Sequence, residues 1–279
     1  MNKKQLFLVF IRMCISTDYR FVRRLHVFDT RYYCVQNGIT DPDHERDSLW
    51  EYLKLIGTDY PVHNFYDSRW KNFSDPHPLF DSWYYLYRHF PNGLDENPFA
   101  HFLKKGWKDG LQPGPFFDLD FYRDQSGWHK NDGDPLTHYT HFGAPNGICP
   151  GRYFDINWYL DKNPVFREAR SEIVRLYKLY GATDGKSPVP VFDPAFYLNQ
   201  PGVEEIAAQD PASHYITMAG RDKNRPADWF DPEYYISQCA DDVTREMALA
   251  HFLSKGVHEK LYTDVRVEQL PEKPLVSII

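Results

Sequence analysis

Cysteine is scarce in this 279-residue chain. Cys14, Cys34, Cys149 and Cys239 stand far apart and form no Cys-x-x-Cys pair. A secreted disulfide scaffold would be denser, and a zinc site would need His or Asp partners that this spacing does not bring together. The thiols therefore read as reduced ones in a cytoplasmic protein. Long apolar runs are missing too. The longest, Leu6–Ile11, stops at Arg12. A spanning helix needs about 20 apolar residues, so no transmembrane segment is expected. No small-residue cleavage site follows the run, which argues against a cleaved signal peptide. Positive charge is outweighed, with 32 Lys and Arg against 39 Asp and Glu and a net charge of −7. A general nucleic-acid binder needs a basic face to displace counterions, so no nucleic-acid partner is expected.

The usual marks of catalysis are also lacking. No Gly-rich phosphate loop follows a strand, and there is no Gly-x-Ser-x-Gly elbow or Cys/His nucleophile pair. Adjacent carboxylates such as Glu204 and Glu205 read as a solvated helix face. No catalytic, cofactor-binding or metal-binding residue is assigned within the chain.

What is abundant is aromatic side chains, 17% of the residues, and they recur at a fixed period. The phrase Phe-Asp-x-x-aromatic-Tyr starts at Phe80, Phe117, Phe154, Phe192 and Phe230, at intervals of 37, 37, 38 and 38 residues. An earlier copy starts at Phe28, and the next follows 52 residues on, which predicts an insertion within Asp59–Pro78. A period of this size marks stacked supersecondary units. Each copy has a second half, such as Asn97-Pro98-Phe99-Ala100-His101-Phe102 or Asp134-Pro135-Leu136-Thr137-His138-Tyr139. His214 and His251 stand at the same place in later copies, and Gly106, Gly143, Gly220 and Gly256 follow. In the Phe154 copy, Arg175 is read into the histidine slot, with Gly181 closing the segment.

These residues read as helix punctuation. The Asp of each Phe-Asp step is an N-cap for N–H groups that lack an intrahelical partner. The Phe before it and the Tyr at N4 form a hydrophobic staple, so Phe80 should touch Tyr85 and Phe230 should touch Tyr235. Pro194 and Pro232 fit N1, where a missing N–H costs nothing. The glycines after the histidines are expected to be left-handed residues that end the second helix. Each unit is then two helices of about ten residues, with the tyrosines buried against neighbouring units.

The expected architecture is all-α, a solenoid-like array of helix-turn-helix repeats of about 37–38 residues. Residues 1–27 form a basic and apolar N-terminal cap segment, and 28–79 an irregular first repeat with an insertion. Residues 80–264 hold five regular repeats (80–116, 117–153, 154–191, 192–229 and 230–264), and 265–279 a linker and first strand.

The repeat, together with the tail Pro271-Glu272-Lys273-Pro274-Leu275-Val276-Ser277-Ile278-Ile279, resembles a known combination. The unit is similar to helical repeats fused to bacterial family 2 glycosyltransferases of surface-polysaccharide biosynthesis, over about residues 28–262. The tail is similar to the first strand of their nucleotide-sugar-binding fold. The resemblance implies a non-catalytic region that positions a downstream glycosyltransferase domain, an acceptor glycan or a partner biosynthetic protein. It implies a nucleotide sugar and a divalent metal for the parent transferase, at motifs that have no counterpart in these residues. The chain is then expected to be a fragment of a longer enzyme, or the product of a truncated gene. The alternative reading is a free-standing carbohydrate-binding or protein-interaction repeat module.

Asp118-Leu119-Asp120 has a metal-binding form, but Asp118 occupies the capping position. Asp41-Pro42-Asp43 carries no more weight. His138 and His141 share a helix face, although the other copies keep only the first histidine. The repeated aromatics read as core. The non-repeated Trp50, Trp70, Trp107 and Trp128 are the candidates for an exposed face that contacts glycan or partner. Residues 1–25 carry six basic residues against Asp18 alone, +5, which leaves −12 for the rest. This segment is read either as a capping helix on the first repeat or as a peripheral contact with the inner membrane.

Overall fold

A computed structural model of the chain describes residues 16–40, 42–55, 74–203, 205–218, 221, 223–240, 242–256, 259 and 261–264. The described residues are helical, and their only β-pairing consists of isolated bridges, His77 with Phe80 and Ala227 with Phe230. The chain divides into two compact units, residues 1–150 and 151–279.

The first unit begins with α1 (Thr17–Leu25) and continues through α2 (Thr30–Gln36), α3 (Pro42–Leu53), α4 (Ser82–His89) and α5 (Pro98–His101) to α6 (Leu119–Ser126) and α7 (Pro135–His138). The second contains α8 (Ile156–Lys162), α9 (Ile173–Leu176), α10 (Pro194–Leu198), α11 (Pro211–Met218), α12 (Pro232–Ser237) and α13 (Arg245–His251). The α-helices are shorter than the repeat pattern suggests. The shortfall in the second helices is made up by π-helical turns, which run on from α5, α7, α9 and α13 at Phe102–Gly106, Tyr139–Gly143, Tyr177–Gly181 and Phe252–Gly256.

The expected caps are present in all six copies. Asp29, Asp81, Asp118, Asp155, Asp193 and Asp231 accept from the backbone N–H three residues on, at 2.7–3.0 Å. A cap of this kind is worth about 0.5–2 kcal/mol. The staple is present in all six as well. Ring centroids are 5.3 Å apart for Phe80 and Tyr85 and 5.4 Å for Phe230 and Tyr235. The other four pairs, from Phe28–Tyr33 to Phe192–Tyr197, lie at 5.1–5.6 Å.

A third ring from the second helix completes each group. It is Tyr52, Phe102, Tyr139, Tyr177, Tyr215 or Phe252, and it meets the N4 tyrosine at 5.6–5.9 Å with steeply inclined planes. Inclined rings set the positive edge of one against the negative face of another, which adds to what burial alone supplies. Tyr52 therefore identifies α3 as the second helix of the Phe28 repeat. Most of the expected insertion, and all of 265–279, lie outside the described residues.

Each repeat is also closed by its cap residue. The backbone N–H of Asp29, Asp81, Asp118, Asp155 and Asp193 donates to the carbonyl of Pro76, Pro113, Pro150, Pro188 and Pro226, respectively, at 2.9–3.1 Å. Asp231 donates to Thr263 at 2.7 Å. Each of these prolines lies four residues before the next Phe. Three repeats add a glutamine side chain that pairs with the residue just before the acceptor: Gln36 with Asp75, Gln200 with Arg225 and Gln238 with Tyr262.

Neighbouring repeats within a unit are joined through their second helices. In the first unit, the Asn97 side-chain amide donates to the carbonyls of Tyr52 and Leu55 at 3.1 and 2.9 Å. In the second, Lys178 Nζ reaches Asp210 at 2.7 Å, with both side chains largely buried.

Candidate functional site

The polar group that recurs at the centre of the repeats is a tyrosine bonded to a histidine. The N4 tyrosine comes from the first helix and the histidine from the second. The pairs are Tyr85–His101 at 2.7 Å, Tyr122–His138 at 2.8 Å, Tyr197–His214 at 2.6 Å and Tyr235–His251 at 2.7 Å. Nδ1 is the ring nitrogen used every time.

Burial favours the neutral forms of several of these groups. It pushes the Tyr85, Tyr122 and Tyr235 phenols well above their ordinary value. It holds His101 and His138 below theirs and brings His214 down to about 4. At Tyr85–His101 and Tyr197–His214 the bond is buried, where an unmade bond is costly.

The glycines that follow the second-helix rings have a different task from the one expected. Gly106, Gly143, Gly181 and Gly256 are not left-handed. A Cβ on any of them would fall within 2.5 Å of the hydroxyl of Tyr85, Tyr122, Tyr159 or Tyr235, respectively. Glycine is needed because the phenol tip lies against the backbone there. The left-handed residue comes four positions later, at Gly110, Gly147 and Gly185, with φ of 78°, 66° and 69°. At Gly110 the closure is a Schellman motif: Gly110 N–H donates to Trp107 O and Leu111 N–H to Gly106 O.

The glycine also tracks the π turn. Where glycine stands four residues after the second-helix ring, the helix is π from that ring onward. In the Phe192 repeat, Ala219 stands there and Gly220 comes one later. α11 stays α-helical through Tyr215 to Met218, and residues 219 and 220 lie outside the described residues.

The Phe154 repeat departs from the pattern. Counted back from Gly181, or from the Tyr177 ring, the histidine slot falls on Leu176 and not on Arg175. Arg175 instead pairs with Glu172 on the surface. Leu176 lies 17 residues after Tyr159, whereas His101 lies 16 after Tyr85, because this 38-residue copy carries its extra residue between its two halves. The Tyr159 hydroxyl is consequently buried without a hydrogen-bond partner. Its phenol is pushed up to about 12, first by burial and then by Asp184.

The other candidates are placed as follows. Asp118 caps α6, while Asp120 is exposed and pairs with Arg123. His138 and His141 part company: His138 bonds Tyr122, and His141 Nε2–H donates to the Leu25 carbonyl at 2.8 Å. Asp41 and Trp70 lie outside the described residues. Among the described residues, no group of three potential metal ligands occurs.

Trp107 and Trp128 correct the expectation of an exposed face. They are 6% and 4% exposed and meet edge-on at 5.9 Å. Their indole N–H groups donate to the carbonyls of Leu103 and Gly133. Each follows the end of a helix, where the chain turns inward and the two rings fill the space between repeats. Trp50 is half-buried, edge-on to Tyr19 at 6.2 Å.

The exposed rings are others, Phe142 at 44% and Tyr180 at 48%. Each directly precedes a π-turn glycine, where the Phe80 and Phe230 copies have Lys105 and Lys255. A position that alternates between lysine and a ring is a surface position, and that signal was available in the sequence. Comparison with protein-family models, with curated proteins and with solved structures gives no match.

Proposed function

We propose that the chain is a helical repeat region of a bacterial glycosyltransferase of surface-polysaccharide biosynthesis. In this reading its repeats stack as a solenoid and position the acceptor glycan, the transferase domain or a partner enzyme at the cytoplasmic side. Sugar transfer from a nucleotide sugar, with a divalent metal, belongs to the joined transferase domain. The repeat signature and the Pro271–Ile279 run support the family reading.

The observation that carries the positioning role is the recurrence of one ring group and one closing bond in each of the six repeats. Phe142 and Tyr180 each present a ring to solvent. An aromatic face of this kind can stack on the C–H face of a sugar. The exposed rings equally favour a free-standing carbohydrate-binding or protein-interaction module.

Titration of the chain with oligosaccharides of the source polysaccharide, followed by NMR, tests the glycan role. Shifts centred on Phe142 or Tyr180, lost in Phe142→Ala or Tyr180→Ala, are expected. No shift with any native oligosaccharide removes glycan positioning. The reading frame beyond Ile279 separates the two settings: an Asp-x-Asp within an α/β pattern supports the transferase, and a stop codon supports the module.

A further inference from the structure

We propose that the exposed face of α1 is an electrostatic docking surface for an anionic lipid bilayer. The apolar side of this helix is already used. Tyr19 and Val22 are buried in the first unit, as is Val27 just beyond the helix, and Tyr19 meets Trp50. The side left outside carries Arg20, Arg23 and Arg24, all exposed and spaced three and four apart. That spacing puts the three guanidinium groups on one face.

The helix is held at both ends. Near its start, Asp18 pairs with Lys104 at 3.0 Å, and Lys104 also reaches Glu96 at 3.2 Å. At its end, the Leu25 carbonyl accepts from His141. Asp18 is the only acidic residue of α1, and it is turned to Lys104. The Arg23 guanidinium lies over the Tyr19 ring, 5.8 Å from its centroid, and the residue remains exposed.

The charge balance favours one orientation. Residues outside 1–25 sum to −12 and are repelled by an anionic surface, while α1 is attracted. A bilayer fits better than a soluble polyanion because Leu6–Ile11, with Lys3, Lys4 and Arg12, directly precedes α1 in the sequence. An apolar run beside a basic cluster gains from a lipid interface and gains nothing from a dissolved anion. The proposal is independent of the glycan reading, since vesicle binding requires no sugar.

The test is co-sedimentation of the full chain with vesicles of phosphatidylglycerol and phosphatidylcholine. Binding at low salt that falls with added salt, and none to phosphatidylcholine alone, is expected. The variant Arg20→Gln/Arg23→Gln/Arg24→Gln should bind about 100-fold more weakly, at roughly fivefold per basic residue near the surface. An unchanged circular dichroism spectrum shows that it folds. Lys162→Gln/Arg167→Gln/Lys186→Gln loses the same charge from exposed positions in the second unit and should bind as the wild type does. Three outcomes overturn the proposal. One is no wild-type binding to the anionic vesicles, and another is equal binding to phosphatidylcholine alone. The third is binding that survives the α1 variant and falls instead in Leu8→Gln/Phe10→Gln.

Discussion

The Phe80 and Phe154 repeats share a cap, a staple and a three-ring group, yet differ at their polar centres. Tyr85 is bonded to His101, whereas Tyr159 stands opposite Leu176 with an orphaned hydroxyl. Both tyrosines are fully buried, and both glycines sit beneath the phenol. The ring group and the caps therefore suffice to specify the unit, and the Tyr–His bond is an addition to it. The contrast also shows that the glycine serves the shape of the tyrosine and not the histidine, since Gly181 persists where the histidine is gone.

The comparison can be broken most forcefully at the rings. Phe80→Ala and Phe154→Ala should each cost about 3–5 kcal/mol, because each removes a buried ring that touches at least two others. Urea unfolding measures this. A cost near zero in either repeat would mean that the ring group does not hold the unit together.

Acid should separate the repeats next. His214 stays neutral when folded, with its pKa near 4, and titrates near 6.5 when unfolded. A depressed histidine contributes stability that is complete above the unfolded value and lost as pH falls from about 6.5 to about 4, at most about 3 kcal/mol. Amide exchange protection in α11 should drop over that range, while protection in α9, in the repeat without a histidine, changes little. Equal loss in both would place the acid response elsewhere.

The glycine rule is sharpened by Gly106→Ala, expected to cost about 1–3 kcal/mol by overpacking against Tyr85. In a Tyr85→Phe background the hydroxyl is absent and the ring carbon that bore it lies at 3.2 Å from the added Cβ, so the same substitution should cost less. A double-mutant cycle reads the difference. Additive costs would show that the phenol is not what excludes the methyl group.

The smallest effect has opposite signs in the two repeats. Tyr85→Phe breaks a bond to buried His101 and should destabilise by about 0.5–1.5 kcal/mol. Tyr159→Phe removes an orphaned buried hydroxyl and should be neutral or stabilising. Thermal melts of the pair decide it, and equal destabilisation would mean that the Tyr159 hydroxyl has a partner such as water.

Much of the local construction was legible in the sequence. The cap Asp and the staple Phe and Tyr lie within five residues of one another and recur every 37–38 residues, and so they leave an unambiguous trace. What was not legible depends on a residue's partner across the repeat. A glycine needed for φ and a glycine needed for clearance are the same letter, so the π turns and the phenol contact stayed hidden. The pairing of Trp107 with Trp128 joins two copies, and nothing in their 21-residue separation announces it. Leu176 was missed because the extra residue falls between the two halves of its copy, where forward counting slips. Phe142 and Tyr180 could have been found by aligning the copies on the glycine.

The closing bond from each capping aspartate has a practical consequence for anyone dissecting the molecule. Its acceptor lies in the lead-in to the following copy, four residues before the next Phe, so a cut at the next Phe-Asp step keeps the latch and a cut earlier in the lead-in removes it. A segment ending just after Pro113, Pro150 or Pro188 carries its own latch, and one ending a few residues earlier is left open. The natural building block thus begins at one Phe-Asp and is finished only when the proline before the next has been reached.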